Sequence, residues 1–501
     1  MSINVPTVDG NLPLLRRNIP LDRPLKVIQF GEGNFLRAFV DWMVHRLNEA
    51  GLFHGSIRLV QPIPHGKCDD INAQEGCYTV VLHGIEQGRV VQTVERITAV
   101  LGCVSPHENW RDLIDDFCRD SVRFVFSNTT EAGIQYRPEP YQRGECRISY
   151  PAKLTALMYE RFLFHGGQPD KGLFVLPCEL IERNGDTLKD CVLRHAVDWN
   201  LGEPFIGWLN DSNFFLNTLV DRIVTGFPEE EFARLCRELG YVDRLLVCGE
   251  SFHFFAIECP QCLRQTLEQE LPLVQGGLNV VLTEHLAPYR ERKVRLLNGA
   301  HTAVSLAAHL AGHVYVDETV RDPLFHAYLT QLLFEEILPS VLLPDAEKRN
   351  YAESVVKRFA NPLVKHRLLS IALNSVSKWS VRVLPSLCDY RTRTGQLPPL
   401  MVFSLAALVV FYRNRGGIHR LGHRVEDSPE ILRFFEQAWI DFEQEGDDAG
   451  LVERILGHRD LWGQDLTDME RLDEELVGML KNIETAGIRK VIAQLCSFNE
   501  E

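Results

Sequence analysis

A chain of 501 residues is longer than a single hydrophobic core usually serves, and its 45% hydrophobic and 24% charged content is that of an ordinary globular protein, so two domains are expected. The 68 acidic residues outnumber the 53 basic ones, and the formal charge of -15 argues against a nucleic-acid or anionic-membrane partner. An anionic small molecule stays compatible with that balance, because the local field in a cleft can oppose the net charge.

Thirteen scattered cysteines with one C-x-x-C, Cys259-Pro-Gln-Cys262, suit a reducing cytoplasm and form no zinc or disulfide framework. The N-terminus has no apolar core like that of a secretory signal. The longest apolar stretch, Leu400 to Tyr412, is broken only by Ser404, is too short to cross a bilayer, and reads as a buried helix.

After an irregular lead-in of twenty-odd residues, Leu25 to Phe30 reads as a buried strand. Gly31-Glu32-Gly33-Asn34-Phe35 follows at once, and then an amphipathic helix with Phe35, Phe39, Trp42, Met43 and Leu47 on its inner face. Strand, glycine turn and helix is the order in which a dinucleotide site opens, with glycines letting the backbone approach a pyrophosphate. A triple-glycine pattern would want glycine at position 36, where this chain has Leu36, so by itself the turn is also compatible with an ordinary loop. Glu32 is an unhelpful charge beside phosphates.

A second strand, Ile57 to Val60, ends at Gln61 and not at the acidic residue that usually grips the ribose of NAD, which leaves the choice between NAD and NADP open. Tyr78 to Leu82 and Arg89 to Val94, with Gly84 and Gly88 between them, predict a hairpin inserted into the α/β region. Val122 to Ser127 is another buried strand, and it delivers Ser127, Asn128, Thr129, Thr130 and Glu131 to the sheet's carboxyl edge, where open α/β sheets bind ligands. An Asx or Ser/Thr turn explains those residues almost as well. Further strands are expected at 173–176, 244–248, 254–257 and 279–282, with helices at 153–164 and 187–199. Beyond Ala287 helical periodicity dominates, which sets an α/β domain over 1–287 and a mainly helical, all-α domain over 288–501.

The stretch Pro288 to Thr302, P-Y-R-E-R-K-V-R-L-L-N-G-A-H-T, carries the candidate chemistry. As an α-helix it puts Lys293, Asn298 and His301 at about 0°, 140° and 80°, in one arc with Val294 and Leu297 and away from Arg292 and Arg295. A lysine, an amide and a histidine on an apolar face are partly buried groups that need partners. Taken singly, each also has a structural reading: a snorkelling lysine, an amide at an early helix end, a satisfied core histidine.

Lys293-x4-Asn298-Gly-Ala-His301, Asn217-Thr-Leu-Val-Asp-Arg-Ile223 and the G-x-G-x-F turn together resemble the polyol-specific long-chain dehydrogenase/reductase family, the mannitol dehydrogenase group. F-G-E-G-N-F-L-R-A-F from Phe30, S-N-T-T-E-A-G-I from Ser127, P-C-E-L-I from Pro177 and L-N-G-A-H-T from Leu297 resemble members that act on hexuronates. The resemblance implies a cytoplasmic, metal-independent oxidoreductase of hexuronate catabolism that uses NAD on a small hexuronate or aldonate. It also implies a Rossmann domain followed by a helical domain. Gly31, Gly33, Asn34, Phe35, Ser127, Asn128 and Thr129 are then the cofactor residues.

On the same implication Lys293 is the general acid/base, Asn298 and Asn184 donate to the substrate oxygen, and His301 orients a neighbouring hydroxyl. Asp221 and Lys378 are substrate candidates, with a buried pairing to Arg222 an equal reading for Asp221. Arg290, at about 60° from Lys293 on the wheel, stands where mannitol-type members carry glutamate and is a candidate for binding a carboxylate. Other readings are a relative acting on another hexuronate or on a neutral polyol, and a non-catalytic nucleotide sensor.

Overall fold

Strand β1, Leu25–Phe30, shows why its sequence is apolar without alternation: Val27 packs into one hydrophobic core while Ile28 and Phe30 pack into another on the opposite face. The computed structural model describes residues 12–18, 21–86, 89–129, 133–419 and 421–498, which fall into two units, Met1–Leu286 and Ala287–Glu501. Most of the expected lead-in, together with Gly88, Thr130 and Glu131, lies outside the described residues.

In the first unit the strands in chain order are β1, β2 (Ser56–Val60), β3 (Tyr78–Glu86), β4 (Arg89–Ile97), β5 (Val100–Val104), β6 (Phe124–Ser127) and β7 (Phe174–Pro177). They continue as β8 (Phe214–Phe215), β9 (Thr218–Asp221), β10 (Val224–Gly226), β11 (Val247–Glu250), β12 (Phe254–Glu258) and β13 (Val280–Thr283). The main sheet is parallel throughout, in the order β5-β2-β1-β6-β7-β8. With β1 flanked by β2 and β6, the chain reverses its direction of winding there, and the crevice at the carboxyl ends of β1 and β6 is the ligand position of a Rossmann sheet. The β3–β4 hairpin is longer than its sequence pattern suggests and belongs to a separate four-stranded sheet, β10-β11-β3-β4.

Three local details depart from the sequence expectation. The helix after the glycine turn is two pieces, α1 (Asn34–Arg37) and α2 (Val40–Glu49). At the break the Arg222 guanidinium donates to the Ala38 carbonyl at 2.5 Å, while buried Arg37 donates to the carbonyls of Glu32, at 3.1 Å, and Leu245. The strand expected at 244–248 begins only at Val247, because Asp243 accepts from the Leu245 and Thr79 backbone N–H groups and so turns the chain before it. Strand β5 carries Gly102 at its centre, and that glycine hides it from an apolar-run reading.

The second unit is helical among its described residues apart from two-residue strands at Asn414–Arg415 and Ile418–His419. The helix Pro399–Phe411 is buried from Leu400 to Phe411, and the Glu336 carboxyl accepts the N–H groups of Leu400 at 2.8 Å and Met401 at 2.9 Å at its start. It packs against the helices Ala300–Leu310 and Leu472–Ala486. No described helix is long and apolar enough to cross a membrane.

The stretch beginning at Pro288 is helical but not uniformly α: Ala287–Arg292 is α, Lys293–Gly299 is π, and Ala300–Leu310 is α again. The 100° wheel therefore does not apply across the motif.

Candidate active site

The glycine turn divides its work between two residues. Gly31 has φ +112°, and a Cβ there would lie 2.9 Å from the Asn128 carbonyl oxygen, so the strand end and the β6 loop close on each other only around glycine. Gly33 has an ordinary φ of -67°, is exposed, and a Cβ there would meet no atom within 4 Å. That open concavity beside the β1 end fits the close backbone approach a dinucleotide phosphate requires. Asn34 Oδ1 accepts from Arg37 at 2.6 Å, and Phe35 stacks on Phe39 with centroids 5.0 Å apart.

Ser127, Asn128 and Thr129 sit at the carboxyl end of β6 as expected, but a residue that the strand pattern does not single out organises them. Buried Glu179, just beyond β7, accepts from Ser127 Oγ at 3.0 Å and from Thr129 N and Oγ1 at 2.9 and 3.0 Å. Burial raises its carboxyl pKa, and these hydrogen bonds oppose the rise. Asn128 donates to the Cys178 carbonyl at 2.8 Å. Asn128 and Thr129 stay half-buried at the sheet edge, whereas Ser127 is fully covered.

Beyond the carboxyl ends of β1, β2 and β5 is a cleft of about 700 Å³ lined by Glu32, Gly33, Asn34, Gln61, Lys67 and Ser105 among others. Its size, its place beyond β1 and β2 and the open Gly33 together suit a dinucleotide.

Asn184 lies at the start of a helix, beside the ends of β7 and β9. It is 1% exposed, and its amide nitrogen has the carbonyls of Pro177 (3.0 Å), Glu179 (3.1 Å) and Thr218 (3.2 Å) as acceptors. Its oxygen accepts the backbone N–H groups of Gly185 and Thr218, each at 2.9 Å. With its nitrogen against main-chain carbonyls and its oxygen against main-chain N–H groups, the amide clasps β7 to β9. Asp221, at the end of β9, is buried. Arg222 donates to the carbonyls of Ala38, Ser251 and Phe252 and lies 4.1 Å from the Trp42 ring.

In the second unit, π-type i→i+5 bonding changes the relation between the motif residues. In an α-helix Lys293 and Asn298 would be about 140° apart. In the π segment residue 298 stands one hydrogen-bonded turn beyond residue 293, so the two positions become neighbours along one side. Both are half-buried. A Cβ on Gly299 would lie 3.0 Å from the Arg382 carbonyl, so the turn presses directly on the helix Ser375–Arg382.

The half-buried His301 stacks on Phe359, with centroids 3.8 Å apart and planes 8° apart, and meets His366 edge-on at 5.3 Å. Its Nε2 is buried with no hydrogen-bond partner among the described residues. Burial first, then His366, Arg358 and Arg382, hold its pKa well below the usual imidazole value, so the ring is neutral. Burial and then Lys378 likewise depress His366. Lys378 donates to the Ile371 carbonyl at 2.9 Å and Arg382 to Thr302 Oγ1 at 3.4 Å.

Three cations thus act electrostatically on the two imidazoles, Arg358 and Arg382 on His301 and Lys378 on His366. Of these, sequence reasoning reaches only Lys378; the one-turn spacing from Lys378 to Arg382 is the signal for the second. Arg290 is half-buried in the α-helical turn before the π segment. Arg292 pairs with Glu347 at 2.8 Å, and Arg295 pairs with Glu291 at 2.9 Å and with Asp389.

The mannitol dehydrogenase Rossmann domain matches residues 25–271 and the mannitol dehydrogenase C-terminal domain matches residues 285–484. The altronate oxidoreductase of Enterobacter sp. (strain 638) is 41% identical over 475 residues, covering 94% of this chain and 97% of the relative. That of Escherichia coli O1:K1 / APEC is 41% identical over 486 residues, covering 96% and 99%. Among solved structures, Pseudomonas fluorescens mannitol 2-dehydrogenase in ternary complex with NAD and D-mannitol superposes with a TM-score of 0.70 at 20% identity over 97% of each chain. A substrate-free D-sorbitol dehydrogenase superposes with a TM-score of 0.76 at 21% identity, over 96% of this chain and 98% of that one. The chain belongs to the mannitol dehydrogenase family of oxidoreductases, built from a Rossmann domain and a helical C-terminal domain.

Proposed function

We propose that the protein is an NAD-dependent oxidoreductase of hexuronate catabolism that interconverts D-tagaturonate and D-altronate. The observation that carries the reading is the π turn that makes neighbours of Lys293 and Asn298, with His301 beyond them, in a chain 41% identical to altronate oxidoreductases along nearly its whole length. Arg358, Lys378 and Arg382 near His301 and His366 supply positive charge suited to a sugar acid.

Gly31, Gly33, Asn34, Phe35, Asn128 and Thr129 would hold the dinucleotide, with Ser127 and Glu179 fixing the loop behind them. When bound, it supplies the hydride acceptor or donor for the carbinol carbon. Lys293 acts as general base toward the hydroxyl proton in oxidation and returns that proton to the oxygen in reduction. Asn298 donates an amide hydrogen bond to the same oxygen and stabilises the charge that develops on it. His301, neutral and braced by Phe359, orients a neighbouring substrate hydroxyl through a ring nitrogen. Asp221 and Lys378 are substrate contacts in this reading.

The test is a panel of hexuronates, aldonates and neutral polyols, each assayed with NAD and NADP. Turnover highest on altronate and tagaturonate supports the assignment. Preference for fructuronate or for a neutral polyol moves the chain to another specificity in the family. Dinucleotide binding without turnover on any member of the panel replaces the enzyme with a nucleotide sensor.

A further inference from the structure

The end of β2 is where an acidic residue usually receives the ribose hydroxyls of NAD, and here that position is Gln61. Its carboxamide is closed on its own loop: the oxygen accepts from Cys68 N at 3.1 Å, the nitrogen donates to the Ile63 carbonyl at 3.1 Å, and the side chain is 5% exposed. Gln61 is thus a loop clasp. The carboxylate that reaches this place comes from the glycine turn. Glu32 is directed away from Gly31 and toward the loop after β2, where its Oε1 accepts from Lys67 N at 3.4 Å. Gly66 packs so closely against Glu32 and Gln61 that a Cβ there would overlap both carbonyl-type oxygens. This placement removes the difficulty of a charge beside the phosphates, because the carboxyl faces the cleft wall beyond β2 and leaves the concavity at Gly33 clear.

The other groups on that wall do not favour a second phosphate. Asp69, Asp70 and Glu108 line the same cleft, and Arg244, which could have answered an anion, lies 3.7 Å from Asp70. Lys67 contributes its backbone N–H to Glu32, and burial depresses its side-chain pKa, with Arg37 adding to the effect.

We propose that Glu32 is the specificity-determining acceptor for the adenosine ribose hydroxyls and that its carboxylate excludes a dinucleotide carrying a 2′-phosphate. The inference rests on the dinucleotide-binding reading given above. Burial raises the Glu32 pKa, so exclusion should weaken as the pH falls and the carboxyl takes up a proton earlier than an ordinary glutamate would.

Calorimetric titration with NADH and with NADPH tests this without catalysis. The parent should bind NADH at least about 100-fold more tightly than NADPH at neutral pH, on the scale of a desolvated like-charge contact. Glu32→Gln, which keeps an acceptor oxygen but removes the charge, should shrink that ratio by about tenfold or more, chiefly by tightening NADPH. The parent's ratio should also fall on acidification, while that of Glu32→Gln stays flat. Gln61→Ala, which opens the clasp, should weaken both ligands equally and keep the ratio. An unchanged ratio in Glu32→Gln, a ratio moved by Gln61→Ala instead, or a parent that prefers NADPH overturns the inference. Failure of the folded parent to bind either dinucleotide overturns the nucleotide reading itself.

Discussion

Lys293 and Asn298 stand one hydrogen-bonded π turn apart, a relation that an α-helix of the same sequence would not give them. If this pair handles the proton and the developing charge, removing the lysine should affect chemistry and not nucleotide affinity. Lys293→Ala is expected to slow hydride transfer by roughly 10²-fold or more, the scale of a positioned acid/base. Single-turnover kinetics, with NADH titration as the control, checks it. Near-normal turnover in the variant would remove the motif from the reaction.

Gly31 and Gly33 predict opposite outcomes two residues apart. A side chain at Gly31 meets the Asn128 carbonyl and needs a positive φ, so Gly31→Val should lower the melting temperature. At Gly33 nothing stands within 4 Å and the backbone is ordinary, so Gly33→Val should fold normally and lose NADH affinity. A folded Gly33→Val with parental affinity would make the turn merely structural.

Asn184 offers a direct choice between a clasp and a substrate ligand. As a clasp, its loss takes one donor from the Pro177 carbonyl and leaves the buried Thr218 N–H without its Asn184 acceptor, an unsatisfied group of this kind costing about 1–3 kcal/mol. Asn184→Ala should therefore unfold at a clearly lower temperature and lower denaturant concentration. An unchanged melting curve with a selective loss of kcat would restore the donor role.

What the residues made legible, and what they did not, follows from the range of the interactions. Strands β1 and β6 and the buried helix Pro399–Phe411 are mostly apolar runs, and a run is a local signal. The π segment is not local in that sense. No wheel drawn on 288–302 announces it, and the close packing of Gly299 against the Arg382 carbonyl involves a helix more than seventy positions away. Glu179 lies within P-C-E-L-I, but its task is not legible there, because the hydroxyls it receives come from another strand end. Asn184 is ambiguous for the same reason: an amide beside a glycine has the same letters whether its hydrogens face a substrate or the carbonyls of β7.

His253 predicts a pH dependence. Its Nε2 accepts the Asn279 backbone N–H at 2.9 Å, which only a neutral ring can do, and burial, followed by Arg222, lowers its pKa to about 4. A base whose folded pKa is depressed contributes stability that is fully present above its unfolded pKa of about 6.5 and is lost as pH falls toward about 4. The melting temperature should therefore drop between pH 7 and pH 5, and His253→Gln should flatten part of that drop. Other buried imidazoles share the slope, so the parent-minus-variant difference is the quantity to measure. A difference independent of pH would mean that His253 titrates normally.

For the proposed sugar-acid substrate there are two candidate carboxylate ligands, and they can be separated. Arg290 lies in the helical turn that precedes Lys293. Arg382 lies on another helix, donates to Thr302 beside His301, and adds, after burial, His366 and Arg358, to the lowering of the His301 pKa. A guanidinium that binds the sugar carboxylate does so through charge-assisted hydrogen bonds of about 1.5–3 kcal/mol, so its loss should raise KM for the acid by about 10- to 100-fold. A neutral ketose lacks the carboxylate and should be affected far less. Arg382→Gln is expected to show this split, with kcat on the ketose retained. Arg290→Glu should show it too if Arg290 binds the carboxylate, and should fall equally on acid and ketose, or on neither, if Arg290 only supports the helix start. Equal losses on both substrates in both variants would detach acid selectivity from these cations altogether.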